Sequence, residues 1–100
     1  MQNYEIRYLP IAEDDLNEIV DYLSEYSIEA ANAFIDELEK LEEQLAMFPE
    51  SAPFVRDRKL QRRGYRIAVV GEYLLFYTLR NKSIYIMRVI HNKRNNMDLL

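Results

Sequence analysis

Gly64–His91 reads GYRIAVVGEYLLFYTLRNKSIYIMRVIH and breaks into three β-strands. Tyr65–Val70 is rich in β-branched and aromatic residues, as strands are. Gly71-Glu72 follows, and a Gly-X pair suits a type II′ hairpin turn. The second run is Tyr73–Leu79 and the third is Ser83–His91. Arg80-Asn81-Lys82 lies between them, with Asn81 the residue most tolerant of positive φ. Such short connections make consecutive strands antiparallel neighbours, a meander. Both parities of the second run are apolar, with Tyr73, Leu75, Tyr77 and Leu79 on one side and Leu74, Phe76 and Thr78 on the other. That pattern predicts a central strand covered on both faces. Arg66 and Arg88 fall inside the flanking strands, where a charge is costly unless something pairs with it.

Upstream, Tyr4-Glu5-Ile6-Arg7-Tyr8 alternates and reads as a further strand. Pro10 suits a first helical turn, and Glu13, Asp14 and Asp15 sit where the helix dipole favours anions. Leu16, Ile19, Val20 and Leu23 mark an amphipathic helix over Ile11–Glu25. Its outer carboxylates, Asp14, Glu18, Asp21 and Glu25, form a row rather than a convergent ligand set, so they read as a solvated face. Ser27 is a suitable N-cap for a second helix. There Ala31, Phe34, Ile35, Leu38, Leu41, Leu45 and Phe48 keep one stripe until Phe48-Pro49 closes it. The two apolar stripes of this hairpin need a sheet to cover. Pro49–Pro53 reads as a loop, Phe54–Arg63 as a basic segment with part of it a short strand, and Leu99-Leu100 as apolar residues available for docking. The expectation is one α+β domain over residues 1–100, β-α-α-β-β-β, with the helical hairpin on one face of an antiparallel sheet.

Charge divides the chain. Residues 1–50 carry a net −12 and residues 51–100 a net +8. A basic half can meet phosphate or an acidic protein, or pair with its own acidic half. With no cysteine there is no disulfide or thiolate site, which fits a reducing cytosol. No apolar run approaches the ~18 residues of a membrane span. The start, MQNYEIRYLP, lacks the features of a signal peptide, so a cytoplasmic protein without membrane contact is expected. Metal ligands and a glycine-rich phosphate loop are missing, so no metal and no cofactor are expected.

Several segments in order resemble the RelE/ParE toxin superfamily of type II toxin–antitoxin modules. Tyr4–Tyr8 with Pro10–Leu16 is similar to the family's opening strand and first helix. Asp21-Tyr22-Leu23 and Ala30–Phe34 resemble its helical hairpin, and Leu45–Pro49 its loop entry. Gly64-Tyr65-Arg66, Tyr73–Tyr77 and Ile84–His91 resemble its sheet. The resemblance implies a cytoplasmic toxin neutralised by a cognate antitoxin. It also implies one of two targets: DNA gyrase, poisoned as by ParE-like toxins, or mRNA on the ribosome, cut as by RelE-like toxins. An inactive, purely interacting relative is a third reading.

Cleaving RNA needs a base for the 2′-OH, an acid for the leaving oxygen and cations for the phosphorane. His91, the one histidine, matches a histidine that belongs to the active site in YafQ-like and YoeB-like relatives. Arg66 and Arg88 are candidate phosphate clamps through their fork geometry, the alternative being an ion pair with a carboxylate of the fold such as Glu72. Arg62, Arg63, Lys93, Arg94 and Tyr73 are candidate contacts to nucleic acid or to a protein target. Three positions depart from the nuclease patterns: Leu74 stands where RelE and YoeB have an arginine, Asn92 where YoeB has a tyrosine, and Val69 where YafQ has a histidine. These departures shift weight toward ParE-like action or an unassigned activity.

Overall fold

A computed structural model describes residues 3–94 and 99–100. The middle of the tail, residues 95–98, lies outside the described residues, as do residues 1–2. The first strand, β1, is Glu5–Tyr8. Helix α1 follows at once over Pro10–Tyr26, with proline in its first turn and the Leu9 carbonyl accepting from the N–H groups of Ala12 and Glu13. Ser27 alone separates α1 from α2, Ile28–Met47. Its N–H donates to Leu23 O at 2.9 Å and closes α1, while its Oγ accepts from Ala30 N–H at 3.0 Å and opens α2. One residue thus forms the whole helical corner.

The basic segment folds differently from expectation. Arg58–Arg62 is a short helix, α3, and only Phe54 makes a β-bridge, to Arg66. Asp57 is the cause: its Oδ1 accepts from Leu60 N–H at 3.0 Å and starts a helical turn. The meander is as read, with β2 at Arg66–Val70, β3 at Tyr73–Arg80 and β4 at Ser83–His91. Gly71 turns the first hairpin at φ +58. Asn81 and Lys82 turn the second, both with positive φ (51 and 61), the type I′ pattern.

The sheet order is β1-β4-β3-β2. β2, β3 and β4 pair antiparallel, whereas β1 runs parallel to β4 with Glu5 opposite Ser83 and Tyr8 opposite Ile86. A parallel neighbour requires a long crossover, and everything from α1 to β3 provides it. On β4 the register slips between Phe76 and Tyr77, which oppose Arg88 and Ile86 and leave Met87 as a bulge. The slip re-phases the strand: Ile84 and Ile86 face the helices before it, and Val89 does so after it.

Each face has its own core. Phe34, Leu38 and Leu45 of α2 pack with Leu75, Tyr77, Ile84 and Ile86 on the helical side. On the other side Val55, Leu60 and Tyr65 pack with Phe76 and Ile90, and Leu99 and Leu100 dock there. The far face is therefore partly roofed by α3 and the leucine pair.

Candidate functional site

His91 ends β4 opposite Tyr73, the first residue of β3. Tyr73 is buried, its ring edge-on to Phe34 of α2 at 5.3 Å between centroids. The His91 ring stands edge-on to Tyr73 at the same distance. Burial, then the nearby Tyr22 and Glu72, push the Tyr73 phenol above its ordinary pKa, so it stays neutral. The His91 imidazole is fixed from both sides. Its Nδ1 accepts from Lys93 N–H at 3.1 Å, which leaves the proton of the neutral ring on Nε2. Nε2 faces Glu72 Oε2 at 3.7 Å across the β2–β3 turn. Glu72 is itself tied to this end of β4, because its carbonyl accepts from Asn92 N–H at 2.9 Å. Glu72 is mostly exposed, so the pair orients His91 more than it stabilises the fold.

The two strand arginines are elsewhere. Arg66 opposes Tyr77, four residues along β3 from the partner of His91, or about 13 Å at strand rise. Its Nη1 donates to Ala52 O at 2.7 Å and Glu50 O at 3.3 Å, and its guanidinium lies 4.0 Å from the centre of the Phe54 ring. Arg66 thus fastens the loop after α2 to the sheet. Arg88 opposes Phe76, whose side chain belongs to the far-face core, so the two arginines leave the sheet on opposite sides. Its partner is Asp15 of α1, not Glu72. Nε donates to Asp15 Oδ2 at 2.8 Å and Nη2 to Oδ1 at 2.9 Å, while Nη1 donates to Leu99 O at 3.0 Å. Asp15 Oδ2 also accepts from Val89 N–H at 2.9 Å. β1 pairs with β4 only as far as Ile86, and the Asp15 carboxylate takes up a strand donor just beyond that point.

Arg62 and Arg63 are exposed at the end of α3, with Arg56, Arg58 and Lys59 exposed before them. Lys93 and Arg94 are exposed in the turn that follows His91. The fold therefore brings together His91, Tyr73, Glu72 and the backbone of Lys93. It does not bring Arg66 or Arg88 to them. A His–Glu pair can exchange a proton, yet phosphoryl transfer also needs a cationic fork on the same phosphate.

A family model described as the ParE toxin of the type II toxin–antitoxin system, parDE, matches residues 6–96. The chain belongs to that family. Its fold is shared with a chain from the chromosomal ParDE toxin–antitoxin system of P. aeruginosa, at 17% identity and a TM-score of 0.67, covering 88% of this toxin and 95% of that chain. It is also shared with a chain of the RelBE2 toxin–antitoxin complex from Mycobacterium tuberculosis, at 21% identity and a TM-score of 0.59, covering 91% and 93%. No curated protein sequence matches.

Three contacts of this ParE-family toxin escaped sequence reasoning. Asp15 stands in a run of helix-start acids that the dipole alone explains, 73 residues from Arg88. Glu42 accepts from the Tyr8 hydroxyl at 2.6 Å, tying α2 to β1. Glu37 on α2 accepts from Gly71 N–H at 2.9 Å and holds the turn that carries Glu72. Each is one carboxylate among the many on the outer helices, and nothing local distinguishes it.

Proposed function

We propose that this toxin stops growth by gripping a protein target, DNA gyrase, rather than by cutting RNA. The observation that carries the reading is the commitment of both strand arginines to the fold. Arg66 is spent on two loop carbonyls and Phe54, and Arg88 on Asp15 and Leu99. Neither can leave without unlatching a core contact, and neither lies beside His91. A binding poison needs no such constellation. It needs an exposed charged surface, which Arg56, Arg58, Lys59, Arg62 and Arg63 supply around α3. Membership of the ParE family supports the same reading. The cytoplasm is the corresponding compartment, since the gyrase and the chromosome are there. Among the described residues no helix is long and apolar enough to cross a membrane.

One observation favours ribosome-dependent mRNA cleavage as a second reading: Nε2 of His91 carries a proton toward the Glu72 carboxylate, as an acid–base pair would. Inducing the toxin in bacteria and mapping plasmid topology together with mRNA 5′ ends separates the two. Relaxed or broken DNA with intact mRNA, unchanged by His91→Ala, is the expected result. Cuts within ribosome-covered codons that vanish in His91→Ala would establish the nuclease instead.

A further inference from the structure

Residues 53–55 run beside β2 as a strap pinned at both ends: Ile67 N–H donates to Pro53 O at 2.9 Å and Val55 N–H to Tyr65 O at 3.0 Å. Between the pins Phe54 is 44% exposed. The Arg66 guanidinium lies 4.0 Å from the centre of its ring, so an exposed aromatic side chain is fixed in place. Phe54 walls an open cavity of about 680 Å³, with Val55, Ile67 and Phe76 as the rest of its apolar lining. Val55 and Phe76 belong to the far-face core, which makes the floor rigid. The volume falls within the ~300–1,000 Å³ of ligand-binding cavities. The rim has the opposite character. Arg56 lines it, and Arg58, Lys59, Arg62 and Arg63 follow, all exposed. Asp57, the one acid between residues 54 and 63, caps α3 through Oδ1. None of these five cations takes part in an ion pair among the described residues.

We propose that this cavity receives a bulky apolar side chain of gyrase, set in an acidic stretch whose carboxylates meet Arg56 and α3. The proposal rests on the gyrase reading and adds the anchor point and the chemistry of the segment that fills it. Charge complementarity chooses the occupant, because an apolar hole beside unneutralised cations fits a partner that brings apolar bulk and negative charge together. A small anion would leave most of the five cations unmatched. DNA would match them, but the polar edges of its bases find no partner on Val55, Ile67 and Phe76. A second copy of this chain could offer the corner between α1 and α2, where Tyr26 and Ile28 are exposed between Glu25 and Glu29. That contact joins two different surfaces, leaves one of each free at every step and grows into open chains, whereas most soluble oligomers close. A preformed pocket that takes one anchor inside a ring of polar contacts is where binding energy concentrates.

The test measures binding of intact, purified gyrase to the full-length toxin as wild type, Ile67→Trp, Arg56→Glu and Arg80→Glu. Tryptophan fills the cavity from its floor and is a residue that strands accept. Arg56→Glu reverses the charge at the rim, and Arg80→Glu makes the same change at an exposed position outside the cavity. Ile67→Trp and Arg56→Glu are each expected to raise Kd about 10-fold, and Arg80→Glu less than about 2-fold. In the wild type, the Ile67 δ1-methyl resonance is expected to shift when gyrase binds. This second measurement stands even if the tryptophan variant does not fold. An unchanged Kd for folded Ile67→Trp, or an unshifted Ile67 methyl, overturns the anchor while leaving the gyrase reading intact. Equal losses in Arg56→Glu and Arg80→Glu overturn the acidic stretch, since net charge alone then accounts for both. Duplex DNA that binds the toxin without gyrase, and binds more weakly to Ile67→Trp, overturns the proposal in favour of a nucleic acid. A free toxin that self-associates and loses that state in Ile67→Trp overturns it in favour of a second copy. If the wild-type toxin does not bind gyrase at all, the gyrase reading falls and the proposal falls with it.

Discussion

Asp15 of α1 and Arg88 of β4 meet in a two-pronged ion pair, and the same carboxylate accepts the backbone N–H of Val89. Their side chains are 12% and 15% exposed, so little water helps either charge. The Asp15 hydrogen bonds raise the pKa of Arg88 above its ordinary value against the opposing pull of burial, and the guanidinium stays charged. Removing one partner strands the other. Asp15→Ala is expected to cost about 3 kcal/mol, and Asp15→Asn less because its amide oxygen still accepts from Val89. Urea unfolding of both variants checks the order, and equal losses would show that the charge contributes nothing.

Arg66 is a three-way fastener, and its value lies in the shape of the guanidinium. Arg66→Lys keeps the charge but cannot span the Ala52 and Glu50 carbonyls or lie flat on Phe54. A loss of about 1–2 kcal/mol is expected, together with faster proteolysis in the loop of residues 49–54. Limited proteolysis reads this directly, and a loop cut no faster than in the wild type would contradict the role.

Tyr8 makes the fold sensitive to alkali. Burial first, then the hydrogen bond to Glu42 and its charge, raise the phenol well above its unfolded value of 10.0. The native state therefore keeps a proton that the unfolded chain gives up above that pH. Stability is whole below about pH 10 and falls as pH rises past it, since the unfolded chain binds fewer protons there. In Tyr8→Phe the hydrogen bond is lost at every pH, at about 1 kcal/mol, but the alkaline decline becomes shallower. Denaturant midpoints measured from pH 7 to 11 test the slope.

Lys82 occupies a left-handed position at φ 61. Lys82→Gly would give Asn-Gly, the pair most favoured by a type I′ turn. Relief of the side-chain clash exceeds the added freedom of the unfolded chain, and a gain of about 0.5–1 kcal/mol is expected. The denaturant midpoint should rise with the slope unchanged. A fall would mean that the turn gains something from the lysine side chain.

The regular elements were legible because periodicity is local. The i, i+3, i+4 stripe located both helices, and Gly71 and Asn81 located both turns. α3 was not, because its signal is a single cap, Asp57, inside a segment dominated by basic residues. The parallel pairing of β1 with β4 joins residues 78 positions apart, Glu5 and Ser83, and no local pattern encodes direction. At the candidate site, His91 was visible as the only histidine, but its placement opposite Tyr73 was not, because the bulge at Met87 shifts the β3–β4 register by one residue. The assignments of Arg66 and Arg88 were not visible. A charged residue in a strand announces that it needs a partner, but the partner lies across the fold.

The parallel seam also bears on how the toxin is born. β1 has no neighbour until residues 83–86 have been made, so the sheet cannot be completed before β4 leaves the ribosome. Until then α1 and α2 have no finished surface to cover, and Asp15 has no arginine. A cell making this polypeptide meets the folded toxin only after β4 has been made, which leaves an antitoxin already present time to meet it as it forms.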